Sequence, residues 1–162
     1  MQGIQGATGG VGPFYLGKDT LGGIVYYIYT GSDKLQHGLI VAKTESTGAW
    51  QTTNSLTSAN RSWDGAYNTN LMTSSPAATY ALSFGSGWYL PSINELTLLY
   101  NSMYTTNKAL SAVGGTQLSI TLFYWSSNEF NTSSAYIFYF NGGYSTQNNK
   151  PNANNIRAVR TF

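Results

Sequence analysis

Glycine falls at every third position near the start of the chain, in Gly3-Ile4-Gln5, Gly6-Ala7-Thr8, Gly9-Gly10-Val11 and Gly12-Pro13-Phe14. This is the register of a collagen triple helix, where three chains wind about an axis so crowded that only glycine fits. A chain that keeps this phase is therefore expected to act as one of three. Four triplets are too few to hold a triple helix alone, so residues 1–14 read as a collagen-like stalk remnant and residues 15–162 as the folded head. A flexible Gly-rich leader that keeps the phase by chance is the plainer alternative.

The head is long enough for one domain with a core and short for two. Apolar residues make up 41% of the 162 and aromatics 15%, which is ample material for a packed interior, while charged residues are only 9%. The net charge of +2 is too small to draw nucleic acid by a long-range field, so an anion site has to come from local clustering. The absence of Cys removes disulfides, thiolate metal sites and cysteine nucleophiles. No run approaches the ~18 apolar residues of a membrane span, and no signal-peptide layout opens the chain, so a secreted parent is expected to carry its export signal upstream.

Along the head, Gly23 to Tyr29 has the β-branched and aromatic content of a strand, and Thr30 to Asp33 supplies a turn. His37 to Lys43 reads as the returning strand. Trp50 to Asn70 is polar with isolated aromatics, which predicts a long structured loop entering a short helix. Pro76 opens another short helix that ends before Gly85. The clearest helix follows Trp88-Tyr89-Leu90-Pro91, where Ser92-Ile93-Asn94-Glu95 has the form of a capping box. Ile93, Leu96, Tyr100 and Met103 then recur at helical spacing. Beyond Gly114-Gly115 the chain predicts strands at Phe123 to Trp125 and Ala135 to Phe140, a tight turn at Asn141-Gly142, and a strand from Tyr144. An Asn-rich loop at 148–155 precedes a last strand at Ile156 to Phe162.

Catalysis finds little support. The sole histidine, His37, opens an apolar strand with no triad partner or metal-ligand spacing, and Asp64, Glu95 and Glu129 form no acid/base pair. The Gly-Gly pairs lack the strand-to-helix context of a phosphate cradle. The expectation is a protein that is not an enzyme, with no catalytic residue, no metal ligand and no cofactor. Asn60-Arg61-Ser62 and Asn131-Thr132-Ser133 match glycosylation sequons, which chance supplies readily in a chain this rich in Asn, Ser and Thr.

Three segments recur in a recognisable order: Gly87-Trp88-Tyr89-Leu90-Pro91-Ser92 before a helix with Glu95-Leu96, then Tyr124-Trp125-Ser126-Ser127-Asn128-Glu129, then Ile156-Arg157-Ala158-Val159-Arg160. Together, over Lys18 to Phe162, they resemble the C-terminal domain of Lcl, the Legionella collagen-like adhesin, and a wider bacterial C-type-lectin-like domain family with LP-x-x-x-EL, YWSS and VR-x-VR signatures. The resemblance implies an α+β, C-type-lectin-like domain with a twisted antiparallel sheet and flanking helices. It further implies a homotrimer at the tip of a collagen stalk on the bacterial cell surface. Such a head binds sulfated glycosaminoglycans or similar anionic polysaccharides for host attachment, cell aggregation and biofilm. Calcium-dependent sugar binding is not carried over, because the Glu-Pro-Asn and Trp-Asn-Asp motifs of calcium lectins do not occur, and six scattered acids offer calcium few ligands.

An anionic polymer needs Lys and Arg close enough to meet several sulfates together. Lys150 in the Asn-rich loop, Arg157 and Arg160 on the final strand, and Lys108 after the main helix are the expected ligand contacts; Lys18, Lys34, Lys43 and Arg61 lack a distinctive local pattern. Arg160 is equally suited to a structural pair with Glu95. Trp88 and Trp125 are expected in the core, and Tyr67 and Tyr144 on loops where they can stack on sugars. A trimer would multiply a modest patch through avidity. Two other readings stand beside the adhesin: a phage tail-fibre receptor-binding tip, and a variable ligand-binding protein diversified by retroelements, whose adenine-rich codons would suit the Asn content of 128–155.

Overall fold

The computed structural model describes residues 13–162. The Gly-x-y triplets through Gly12, and the trimer inferred from them, lie outside the described residues. Packing begins one residue before the expected start of the head. The Phe14 ring stacks on Phe162 with centroids 3.9 Å apart, and the Phe14 amide donates to Gln36 Oε1 at 2.9 Å.

The fold is α+β, with four helices and two five-stranded sheets among the described residues. The first sheet orders β1 (Asp19–Thr20), β2 (Gly23–Thr30), β3 (Gln36–Ala42), β10 (Val159–Thr161) and β5 (Trp88–Tyr89), all antiparallel. The second orders β4 (Ser46–Ala49), β9 (Ala153–Ile156), β6 (Phe123–Glu129), β7 (Ser134–Tyr139) and β8 (Tyr144–Asn149), with a single parallel contact between β6 and β9. The β2–β3 hairpin and the β6–β7–β8 meander follow the sequence reading. In the turn after β7 it is Gly143, at φ +64°, that takes the left-handed conformation.

β2 reads as an unbroken apolar run because both of its faces are covered. Ile24 and Tyr26 point into a cluster with Leu96, Leu99, Leu110, Tyr124 and Phe138, whereas Val25 points into another with Trp50, Trp88, Trp125 and Ile156. The first cluster is closed by α3 (Ile93–Asn101) and α4 (Met103–Ala112), the second by α2 (Pro76–Leu82).

Each helix start has its reason in sequence. Asp64 accepts from the Tyr67 amide at the head of α1 (Gly65–Leu71), and Ser75 accepts from Ala78 ahead of Pro76 in α2. Ser92 and Glu95 close the expected capping box on α3. The periodicity through Met103 predicts one helix, but the structure holds two. Ser102 donates its hydroxyl to the Leu99 carbonyl, the acceptor an uninterrupted helix would give to Met103, and the axis turns there so that α4 packs on β2.

The expected last strand is likewise divided. Residues 153–156, of which 153–155 belong to the expected Asn-rich loop, pair with β4 in the second sheet and 159–161 with β3 in the first, so the chain crosses between sheets at Arg157-Ala158. Among the described residues no helix is long and apolar enough to cross a membrane.

Candidate functional site

The segment from Tyr124 to Glu129 joins the two halves of the molecule. Trp125 Nε1 donates to the Gly48 carbonyl at 2.9 Å, and Trp50 Nε1 donates to the Ser126 carbonyl at 2.7 Å. The Ser127 amide donates to the Pro91 carbonyl at 2.7 Å, and Asn128 Oδ1 accepts from the Ile93 amide at 2.8 Å. The second motif thereby fixes the start of α3, which the first motif caps.

Glu95 is buried within that cap. Its Oε2 accepts from the Ser92 amide at 2.7 Å and its Oε1 from the Tyr89 hydroxyl at 2.7 Å. Burial pushes its carboxyl above the ordinary range, partly opposed by those bonds, and pushes the Tyr89 phenol up as well. Gly65 is held against this carboxylate, where an added Cβ would lie 2.5 Å from Glu95 Oε2 and 2.6 Å from the Leu90 carbonyl.

Two of the four expected ligand cations are interior. Lys150 has 0% of its side chain exposed. Its ammonium donates to Glu129 Oε1 at 2.6 Å and to the Ser55 carbonyl at 2.6 Å, and sits 4.9 Å from the Trp50 ring centroid. Glu129 also accepts from the Thr57 and Ser58 amides, so one ion pair organises the loop at 51–58. Arg157, also at 0%, donates to the Ala42 carbonyl at 3.0 Å, the Thr116 carbonyl at 2.9 Å and Glu45 Oε2 at 2.5 Å. It staples the crossover to the end of β3 and to the connection after α4. The ligand contacts expected of Lys150 and Arg157 are therefore replaced by internal ones, because each side chain satisfies backbone carbonyls that the loops leave unpaired.

Arg160 is partly exposed, with its guanidinium 5.8 Å from the Trp88 ring and a long 3.5 Å contact to the Leu21 carbonyl. The pair with Glu95 does not form, since that carboxylate is taken by Tyr89 and Ser92. Lys108 is exposed on α4 and has no ion-pair partner among the described residues. Its ammonium lies 6.0 Å from the ring of Tyr104, itself 79% exposed, and both line an open concavity of about 680 Å³ with Asn107, Ser111 and Gln117. The four cations thus form no single patch. Tyr67 carries the Arg61 guanidinium 3.3 Å above its ring, and Tyr144 is half exposed at the start of β8. Trp88 and Trp125 are buried.

A second concavity, of about 510 Å³, lies where α3 meets the more exposed end of β2 with the adjoining ends of β3 and β10. Tyr27, Tyr29, His37, Leu98 and Phe162 line it, Asn94 and Thr161 add polar groups, and Trp63 overhangs it with 68% of its surface exposed. His37 Nε2 meets Asp33 at 2.9 Å, and the Leu35 amide, followed by His37, holds the Asp33 carboxyl below its ordinary range. Among the described residues no group of three or more His, Asp or Glu is placed to hold a metal.

With this geometry in hand, comparison with known proteins is decisive for the family. The model of the Lcl C-terminal domain matches residues 40–160. The chain belongs to the Lcl C-terminal domain family. Among solved structures, a fimbrial protein from Bacteroides ovatus superposes with a TM-score of 0.69 at 20% identity, over 86% of this chain and 44% of that one. This chain thus spans less than half of that protein's length, and the likeness is one of fold. No curated protein matches the sequence.

In this Lcl C-terminal domain the signature residues are internal apart from the partly exposed Arg160: Tyr124 to Asn128, Leu90, Glu95, Leu96 and Arg157 are all buried. The motifs that identify the family therefore specify its scaffold. Of the exposed groups that can meet a ligand, Trp63 precedes the first motif, Asn94 stands at one of its variable positions, and Tyr104 and Lys108 lie between the first motif and the second. Trp63 was visible in the sequence only as a Trp in a polar loop immediately before a helix cap.

Proposed function

We propose that this chain is the ligand-binding head of an adhesin-like surface protein, trimeric and C-type-lectin-like, that holds sulfated glycosaminoglycans or similar anionic polysaccharides outside the bacterial cell. Membership of the Lcl C-terminal domain family supports the adhesin reading, and the fimbrial character of the fold neighbour agrees with it. The observation that carries the polymer assignment is Lys108. It is an exposed ammonium with no acidic partner, beside an exposed tyrosine ring, in a concavity with no carboxylate in its lining. Arg160 is the second contact. With Lys150 and Arg157 committed inside, one head offers few charges, and useful affinity for a long polymer rests on several copies binding at once.

The test is binding of heparin chains of two lengths at two salt concentrations by the parent, Lys108→Ala and Arg160→Ala, with light scattering on the same samples. Support consists of a mass near three times 17.6 kDa, affinity that rises with chain length and falls with salt, and weaker binding by Lys108→Ala. A monomer, or unchanged affinity in both folded variants, overturns the reading.

A further inference from the structure

We infer that the cleft beneath Trp63 is a separate subsite for a neutral sugar ring, distinct from the polymer-binding face of α4. The position of Trp63 is the starting point. A tryptophan gains most from burial, yet this one stands 68% exposed on backbone that is firmly held. The preceding carbonyl, that of Ser62, accepts from the Asn94 amide at 3.1 Å. The following residue, Asp64, caps α1 and binds Arg61 at 3.0 Å. Arg61 in turn has its amide on Asn68 Oδ1 at 3.0 Å. The indole is thus presented to solvent by a braced loop.

The opposite wall is equally fixed. Gly38 lies so close under Tyr27 and Phe162 that a Cβ there would fall 2.1 Å from the Tyr27 carbonyl and 2.7 Å from the Phe162 ring. That close approach brings the Phe162 ring over β3. The cleft therefore has the indole, carried on braced backbone, and the rings of Tyr27, Tyr29 and His37 in its lining.

Its polar groups favour sugar hydroxyls. Asn94, Thr161, Tyr27 and Tyr29 line the cleft, and their side chains make no hydrogen bond to other described residues. An amide offers both donors and an acceptor, which is what vicinal hydroxyls require, while the C–H face of a pyranose matches an aromatic ring. Charge then selects among sugars. No Lys or Arg lines the cleft, and the ionisable side chains that do are Glu95, with both oxygens engaged, and His37, paired with Asp33, beside the Tyr27 and Tyr29 phenols. A sulfated ring would meet the Glu95 carboxyl with no lysine or arginine to offset it and with His37 already paired to Asp33, so the occupant is an uncharged hexose or N-acetylhexosamine.

Tryptophan emission reads this site directly, because Trp50, Trp88 and Trp125 are buried and Trp63 alone among the four is exposed. The full chain would be titrated with lactose, cellobiose and N,N′-diacetylchitobiose at low and high salt, alongside Trp63→Ala, Asn94→Ala and Lys108→Ala. The expected result is a saturable emission change with at least one disaccharide, equal at both salt concentrations and unaffected by Lys108→Ala. It should be abolished by Trp63→Ala and weakened at least tenfold by Asn94→Ala. No response to any of the three sugars overturns the proposal, as does a response that survives Trp63→Ala. A Trp63→Ala chain whose mass in solution differs from the parent's also overturns it, by assigning the cleft to a second copy of the chain. Heparin binding lost in Lys108→Ala with the disaccharide response intact would separate the two sites.

Discussion

Lys150 Nζ sits 2.6 Å from Glu129 Oε1 in a place where 0% of one side chain and 6% of the other is exposed. Removing either partner leaves an unpaired charge in the interior, at a cost of about 3–5 kcal/mol. Lys150→Met is expected to lower unfolding free energy by that order in urea denaturation, and the double variant with Glu129→Gln to recover part of the loss. A single variant as stable as the parent would show that the pair opens to water.

The same ammonium has the environment of a bound cation, with oxygens from Glu129 and Ser55 each at 2.6 Å. Because this positive charge is covalent, excess chelator is expected to leave both melting temperature and polymer binding unchanged. A fall in either would reveal a divalent ion elsewhere.

Arg157 offers a sharper test of geometry than of charge. Its planar fork reaches two carbonyls and a carboxylate together, which a lysine cannot reproduce. Arg157→Lys is expected to lose about 1.5–3 kcal/mol, the scale of a charged hydrogen bond, although the net charge is kept. Equal stability of the two chains in denaturant titration would contradict this.

Glu95 links stability to pH. Its carboxyl is raised in the folded chain, so the stability tied to its protonated form is fully present below the ordinary glutamate range and is lost as pH rises through the raised folded value. Relative to Glu95→Gln, the parent should therefore lose melting temperature progressively as pH climbs from about 4 toward neutrality. A difference between the two that does not vary with pH would refute the assignment.

Gly65 opens α1, where alanine is ordinarily the better helix former by about 1 kcal/mol. Here its Cβ would press on Glu95 Oε2 and two backbone atoms, so Gly65→Ala is expected to destabilise by about 1–3 kcal/mol in thermal melts. Neutral or improved stability would mean that the cap on α3 yields easily.

Much of this fold was legible in the chain. The β2–β3 hairpin, the capping box and the β6–β7–β8 meander all depend on local patterns of apolar alternation, turn residues and caps. What was hidden depends on contacts across the molecule. The break at Ser102 needs a side-chain bond to Leu99, and the division of the last strand needs Arg157 to meet Ala42, Glu45 and Thr116, residues 41 to 115 positions away. The site suffered in the same way. Lys150 lies in a stretch of Asn and Pro that reads as solvated loop, and nothing local announces that Glu129, 21 residues earlier, draws it inside. Arg157 and Lys150 differ from Lys108 in their partners rather than in their neighbours in sequence.

The stack of Phe14 on Phe162, with Gln36 bonded to the Phe14 backbone on both sides, has a mechanical meaning. Tension arriving along the chain at residue 13 does not peel β1 from the sheet margin. It is delivered first to Gln36 at the start of β3 and to Phe162 just after β10, the two strands at the middle of the first sheet. Load is thus shared by several rows of hydrogen bonds at once. A fold anchored this way at its first described residues resists being unzipped from that end.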